Sequence, residues 1–339
     1  MTVRMALIGT GYISKIHAQA AQVTPGVKLE AAVGLLPESL AAFSHQYGIE
    51  RQYKDLDALL KDGDVDAIVI GTPNYLHAPQ SIKALEAGAH VMVEKPMAMS
   101  VQEAQAMQAA SEINNRLLMV AHCWRYDAEV LWMHEQLQAG KLGRIIRTKG
   151  YGVHTNWGPS GWFTQSQMSG GGALVDMGVH AIDTARFLLG DPPPVSVYAR
   201  IGTYYKEYDV DDTGVIFINW ENGTTSYIES GWWQPHMDGP EASTQLYGTS
   251  GFGQVFPTYL ELPDSEDENG SRTFQVDPGF APVREPHCLQ SMYDTQMNHF
   301  IGCIQNGQKP KTGPSIGIIN MCILEAAYES ARSGEVVKL

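Results

Sequence analysis

A chain of 339 residues is long enough for two domains, each with its own apolar core. Its formal net charge of −14 argues against nucleic acid or an anionic membrane surface as a partner. No apolar run approaches the ~20 residues of a membrane span, so a cytoplasmic protein without a membrane partner is expected.

Val3 to Ile8 is a short apolar run and reads as a strand rather than a signal peptide. It ends in Gly9-Thr10-Gly11-Tyr12-Ile13-Ser14, and a helical pattern follows through Ile16, Ala20 and Val23 to Pro25-Gly26. Strand, glycine turn and helix in that order are the context in which G-x-G-x-x-(G/A/S) marks a dinucleotide site. The first glycine permits the turn and the second lets a pyrophosphate approach the backbone. The helix start supplies N–H groups and partial positive charge. Gly9, Gly11, Tyr12 and Ile13 are therefore the first candidate cofactor contacts.

Val27 to Val33 reads as the second strand. An acid at its end, ~20 residues beyond the glycines, usually binds the adenosine ribose. Here the chain reads Val33-Gly34-Leu35-Leu36-Pro37-Glu38, with neither an acid nor an arginine at that place. Helix 38–47, a short helix over 55–60, strand 67–70 and the turn Gly71-Thr72-Pro73-Asn74-Tyr75-Leu76-His77 come next. A strand over 90–93 ends at Glu94-Lys95-Pro96, then helix 101–113 and strand 117–121 follow. This alternation predicts an α/β domain over residues 1–123, a doubly wound parallel sheet covered on both faces. Ligands of such sheets bind outside the carboxyl ends of the strands, where Gly9, Thr72, Lys95 and His122 fall.

From residue 124 the pattern changes. After helix 127–139, runs with strand character cover 145–153, 195–203, 214–220, 224–233, 243–247 and 254–259. Several alternate apolar and polar residues, which predicts an open, mostly antiparallel sheet in a second α/β domain over 124–339. The acidic stretch 264–271 reads as a solvated loop. Helices over 291–306 and 314–333 close the chain, and they can fold back onto the first domain.

Within the second domain, Gly170-Gly171-Gly172 precedes apolar residues at helical spacing, stopped by Gly190 and three prolines. On a regular helix Asp176, His180 and Asp183 stand at i, i+4 and i+7 and share one face. A carboxylate and an imidazole one turn apart suit acid/base work, although the same spacing also serves a plain surface pair. Asp183 is read as holding the helix, or a group behind the site, rather than reacting. Cys123, Cys288, Cys303 and Cys322 lie far apart without a Cys-x-x-Cys, so reduced thiols are expected. No metal signature is present and no metal is expected.

Taken together, Gly9-Thr-Gly11-Tyr-Ile-Ser14, Thr72-Pro73-Asn74-x-x-His77, Glu94-Lys95-Pro96 and Gly170-Gly-Gly-Ala-Leu-Val-Asp176-Met-Gly-Val-His180-x-x-Asp183 resemble one family. So does the tail Ile323-Leu-Glu-Ala-Ala-Tyr-Glu-Ser330-Ala-Arg-Ser-Gly334. It is the glucose–fructose oxidoreductase, inositol dehydrogenase and rhizopine-catabolism group of NAD(P)-dependent oxidoreductases, and the likeness spans nearly the whole chain. The resemblance implies a Rossmann domain and an open-sheet domain whose sheet often mediates a homodimer or homotetramer. It implies hydride transfer between a nicotinamide and a ring hydroxyl of a sugar, sugar derivative or cyclitol. Relatives that cleave glycosides with the help of bound NAD, or that sense nucleotides without catalysis, are the alternatives. The sensors lose the lysine or the histidine, and this chain keeps both.

By the same resemblance, Thr72, Pro73, Asn74, His77, Glu94 and Lys95 join the cofactor contacts, with Pro96 cis. His77 is expected to be structural or near the nicotinamide rather than a base. Lys95, Asp176 and His180 are the catalytic candidates. His180 would take the hydroxyl proton, Lys95 would stabilise charge on the oxygen, and Asp176 would orient the imidazole or a neighbouring hydroxyl. Arg125, His154, Asn156, Trp162 and His236 are candidates to line the substrate pocket with Asp176 and His180. Trp157, Trp162, Trp232 and Trp233 are expected in the core or at a sheet interface, with one offering its face to a sugar ring. The chain departs from the family at the end of its second strand and at Trp124-Arg125-Tyr126-Asp127, where relatives carry a proline after the aromatic residue.

NAD is favoured over NADP as cofactor, because nothing basic stands where a 2′-phosphate would need it. Dissociation constants measured for both should show NAD binding at least as tightly. NADP binding tenfold tighter, ~1.4 kcal/mol, would refute the preference.

Overall fold

The computed structural model describes residues 2–235, 241–277 and 290–339. The chain divides into two compact units, Met1–Cys123 with Cys288–Met321, and Trp124–His287 with Cys322–Leu339. Residues 288–321, which the sequence reading placed in the second domain, thus belong to the first unit.

The strands of the first unit are β1 (Val3–Ile8), β2 (Val27–Val33), β3 (Arg51–Tyr53), β4 (Ala67–Ile70), β5 (His90–Val93) and β6 (Leu118–Val120), all but β3 formed from apolar runs. Between them lie α1 (Tyr12–Val23), α2 (Pro37–Tyr47), α3 (Leu56–Asp62), α4 (His77–Glu86) and α5 (Val101–Ile113). The six strands are parallel and ordered β3-β2-β1-β4-β5-β6. Met5, Leu7, Ile8, Ile68, Ile70 and Met92 are fully buried. Burial at ~1.5–3 kcal/mol for each such side chain explains why these strands read as unbroken apolar runs. The strand order reverses between β1 and β4, whose ends Ile8 and Ile70 are paired, so the crevice of this sheet opens there. Side chains cap the helices that need it: Asp55 accepts from Ala58 N at 2.8 Å and Ser100 from Glu103 N at 3.1 Å.

The second unit opens with α6 (Ala128–Gln138), capped by Asp127, whose Oδ1 accepts from Glu129 N at 2.9 Å. Then come β7 (Ile145–Val153), the short α7 (Ser166–Ser169), a π-helical stretch Leu174–Gly178 and α8 (Val179–Leu188). Strands β8 (Pro194–Gly202), β9 (Thr213–Trp220), β10 (Thr225–Gly231), β11 (Ala242–Gly248), β12 (Phe252–Val255), β13 (Tyr259–Glu266) and β14 (Arg272–Val276) follow. Helices α9 (Gln290–Asn306) and α10 (Pro314–Ser333) and the short β15 (Val337–Lys338) end the chain. The sheet runs β14-β13-β12-β11-β7-β10-β9-β8-β15, antiparallel throughout except where β7 meets β10. Ile216, Ile218, Trp220 and Ile228 are buried on one face of the sheet, against whose β7, β10 and β11 α8 packs, while Phe217 and Tyr227 lie on the other face with their rings 5.2 Å apart. No helix among the described residues is long and apolar enough to cross a membrane.

Two expectations are corrected, and one strand adds to those that the apolar pattern marked. The acidic stretch 264–271 is not a loop alone: its first residues extend β13, and β13 and β14 form a hairpin turning at 267–270. Both strands are largely exposed there, so the polar composition records an open sheet edge. The polar trio Arg51–Tyr53 is the sixth strand of the first sheet, held at the edge by pairing with β2. The helix expected to run unbroken from the triple glycine is π-helical over Leu174–Gly178 before it becomes regular. A wider turn of that kind changes the angular advance per residue, so Asp176 leaves the face that strict α spacing assigns to it.

Candidate active site

In the first unit the glycines are dictated by geometry. Gly9 has φ +103°, and a Cβ there would lie 2.5 Å from the carbonyl oxygen of Gly71. Gly71 is closed in turn by Ser14, whose Oγ would be 2.8 Å from an added Cβ. Gly11 opens α1 with no side-chain cap, and nothing lies within 4 Å of the space above it. The first N–H groups of a 12-residue helix thus start at the end of β1 without a side-chain cap, which fits a dinucleotide pyrophosphate. Tyr12 is exposed and Ile13 partly exposed beside them. Leu35 and Leu36, past the end of β2, are 82% and 70% exposed.

Two buried groups tie the loops beyond β4 and β5. His77 has Nδ1 2.8 Å from the Pro96 carbonyl and Nε2 2.9 Å from the Thr72 carbonyl, and burial holds its pKa below the ordinary value. Thr72 donates to Gln80 at 2.7 Å, and Asn74 is buried at the start of a short 3-10 turn. Pro73 precedes that turn and is partly exposed. Glu94, grouped by its motif with the cofactor contacts, is instead turned inward. Its Oε1 lies 2.7 Å from Nε2 of the buried His17, and its Oε2 accepts from Lys95 N at 3.2 Å. Burial alone would push this carboxyl up, but the His17 hydrogen bond and the charges of His17 and Lys95 bring it below the ordinary value. Lys95 is partly exposed and is joined to Pro96 by a cis peptide.

In the second unit the triple glycine meets a buried acid that the sequence reading missed. Asp211 accepts from Gly172 N and Leu174 N, both at 2.8 Å, and from Tyr328 Oη at 2.6 Å. A Cβ on Gly172 would lie 1.8 Å from the Asp211 carbonyl oxygen, so only glycine lets the two backbones meet. Burial pushes the Asp211 carboxyl up even with these donors in place. The π-helical stretch that starts here carries Asp176, partly buried. Its Oδ2 accepts from Trp232 Nε1 at 3.0 Å and lies 3.3 Å from His154 Nε2. On its other side His154 has Nδ1 3.4 Å from Glu241 Oε2. Glu241 Oε1 accepts from Trp157 Nε1 at 2.6 Å and Thr155 N at 3.1 Å. His180 is buried on α8, its ring stacked on Trp124 with centroids 4.7 Å apart and planes at 17°.

Arg125, a candidate to line the substrate pocket, is buried and paired with carboxylates. Its side chain is 4% exposed and its guanidinium grips two carboxylates. Nε and Nη2 donate to Asp183 at 2.7 and 2.8 Å, and Nη1 and Nη2 to Asp191 at 2.8 and 2.7 Å. Asp183, on α8, is thus tied to Arg125. Asn156 is exposed in a left-handed conformation, φ +56°, and Trp162 stacks on Phe163 at 3.8 Å. His236 lies outside the described residues. The structure brings together Asp176 and His154, both pocket candidates, with Trp232 and Trp157, which were expected in the core or at a sheet interface. The sequence reading missed Asp211, Glu241 and the Trp124 stack, although Trp124 opens the segment that departs from the family pattern.

The model of an oxidoreductase family with an NAD-binding Rossmann fold matches residues 3–122, and that of the GFO/IDH/MocA C-terminal domain matches residues 130–252. The chain belongs to this family of oxidoreductases. It is similar to scyllo-inositol 2-dehydrogenase (NAD(+)) of Bacillus subtilis, with 27% identity over 99% of this chain and 96% of that protein. It is also similar to D-glucoside 3-dehydrogenase of Escherichia coli, with 27% identity over 99% and 97% of the two chains. The solved structure of levoglucosan dehydrogenase with NADH and levoglucosan superposes with a TM-score of 0.88 at 25% identity, covering 100% and 99% of the two chains.

Removing Arg125 would take the forked guanidinium from the buried Asp183 and from Asp191, leaving Arg186 Nη1, 3.7 Å from Asp191, as the cation beside them. Arg125→Met should therefore cost about 3–5 kcal/mol, read as a lower urea midpoint of the full chain. An unchanged midpoint would show that Asp183 and Asp191 find other partners.

Proposed function

We propose that this protein is an NAD-dependent dehydrogenase that moves hydride between the nicotinamide and a ring hydroxyl of a sugar, sugar derivative or cyclitol. The first unit takes NAD on the open start of α1, and the second unit takes the substrate. What carries the reading is one helix of the second unit. It presents a carboxylate, Asp176, and a buried imidazole, His180, within a domain of the GFO/IDH/MocA family. The family and the sugar and cyclitol dehydrogenases among its members support the substrate class.

Bound NAD supplies the hydride acceptor, and the chain supplies proton handling and charge. Oxidation of a secondary alcohol releases a proton from the hydroxyl as hydride leaves the carbon. A neutral imidazole, ordinarily titrating near ~6.5, suits that proton, and His180 is assigned the role. The Trp124 face stacked on it stabilises the imidazolium that results. Lys95 is assigned the stabilisation of negative charge on the reacting oxygen. Asp176, anchored by Trp232 and His154, is assigned the orientation of a substrate hydroxyl. Apolar Leu35 and Leu36 offer nothing to a 2′-phosphate, which supports NAD over NADP.

The enzyme works in the cytoplasm as a homodimer or homotetramer formed through the second sheet. The outward face of β9 and β10 supports this, since it leaves Phe217 exposed and Tyr227 half-buried. Light scattering at micromolar concentration should report an oligomer, and a monodisperse monomer would end that idea. His180→Ala should lose ~10²–10⁴ in kcat while the dissociation constant for NAD stays nearly unchanged. Near-normal turnover by that variant would move the proton to another group.

A further inference from the structure

The tryptophans around Asp176 are not equivalent. Trp232 is fully buried and spends its N–H on Asp176. Trp233 carries Lys206 Nζ 4.5 Å from its ring centre and closes on Gly158, where an added Cβ would come within 2.6 Å of its Nε1. Trp162 lies against Phe163. Trp157 alone of these four is 46% exposed, and yet it is firmly held. One face of its indole rests on the His154 ring, centroids 3.7 Å apart and planes at 26°. Its N–H is fixed by Glu241, and its backbone carbonyl accepts from Trp233 N at 2.9 Å. The exposure therefore falls on the opposite face. Apolar surface left in water forgoes ~25 cal/mol per Å², so a rigid exposed indole is poised for an apolar partner.

Glu241 decides what kind of partner. Its Oε1 takes the two donated hydrogen bonds, while Oε2 meets, among the described residues, only His154 Nδ1, at 3.4 Å, and the side chain is 41% exposed. Acceptor capacity is therefore left beside the indole face. A pyranose ring presents a patch of C–H groups on one face and hydroxyl donors around its rim, which matches an indole flanked by a carboxylate. The carboxylates of Glu241 and Asp176 both oppose an anion here. The same array runs through His154 to Asp176, so this place adjoins the carboxylate assigned to the substrate.

We propose that Trp157 and Glu241 form a subsite for a neutral pyranose ring, stacked on the free indole face with a rim hydroxyl donated to Glu241. The proposal rests on the reading of the protein as a sugar dehydrogenase and narrows its substrates to ring sugars without acidic groups. An open-chain polyol cannot present the flat C–H face, and a sugar acid meets Glu241 with like charge.

Direct binding to the NAD-loaded protein tests this without turnover. Calorimetric titrations with a panel of methyl hexopyranosides, with sorbitol and with a hexuronic acid would be compared across variants. Trp157→Ala should bind the best pyranoside about tenfold more weakly, at the upper end for an aromatic contact, and sorbitol as before. Trp157→Phe should recover most of the loss. Glu241→Gln should improve binding of the hexuronic acid relative to the neutral ring. Wild-type affinity of Trp157→Ala for the pyranoside would overturn the proposal, and so would failure of the wild type to bind any pyranoside. Pyranoside binding that depends on Trp157 without any reduction of NAD would uphold the subsite and count against the dehydrogenase reading.

Discussion

The guanidinium of Arg125, closed on both sides by Asp183 and Asp191, is the interaction on which the second unit's site depends. Taking a cation and two carboxylates out of water costs several kcal/mol per ion, and only near-complete pairing offsets it. Arg125 meets that demand with a double fork, and the forks fix the end of α8. The other end of the same helical segment is fixed by Asp211, which receives the first N–H groups after the triple glycine. Between these anchors the chain makes a wider turn over Leu174–Gly178. That turn directs Asp176 to Trp232 and His154 while His180 stays stacked on Trp124.

The first unit uses the same device with smaller groups. The loops beyond β4 and β5 carry the residues assigned to cofactor and substrate, and loops do not hold side chains precisely unless something ties them. His77 ties one loop to the other through two carbonyls, and Glu94 ties the second loop to α1 through His17. Lys95 follows Glu94 directly, so its backbone is placed by a buried carboxylate rather than by the strand alone. The motif Glu-Lys-Pro thus divides its labour: the glutamate faces the core, and the lysine is left for chemistry.

What the sequence made legible follows from where each residue's determinants lie. Strands β1, β4 and β5 are buried on both faces, so local composition alone announces them. The glycine turn is legible because Gly9 and Gly11 answer to backbone geometry a few residues away. Strand β3 carries no apolar run because it lies at the sheet edge, the second half of β13 is exposed and so can be acidic, and β14 has no buried residue to mark it. The pairing of Arg125 is not legible in the sequence for another reason. Its partner Asp183 is 58 positions away in the chain, and no local pattern distinguishes an arginine that meets a substrate from one that meets two carboxylates. Asp211 and Glu241 were invisible on the same ground. The π-helical stretch was hidden because its apolar spacing over a single turn is indistinguishable from that of an α-helix.

The central claim is that the machinery in both units serves net oxidation of a sugar hydroxyl. Its most direct test is product analysis of the purified protein incubated with NAD and a panel of ring sugars and cyclitols. The account predicts NADH and a carbonyl sugar in equimolar amounts, with the glycosidic bonds of any glycoside left intact. Release of a free sugar from a glycoside with no net NADH would contradict it, because the nicotinamide would then be returned to its starting state in every turnover.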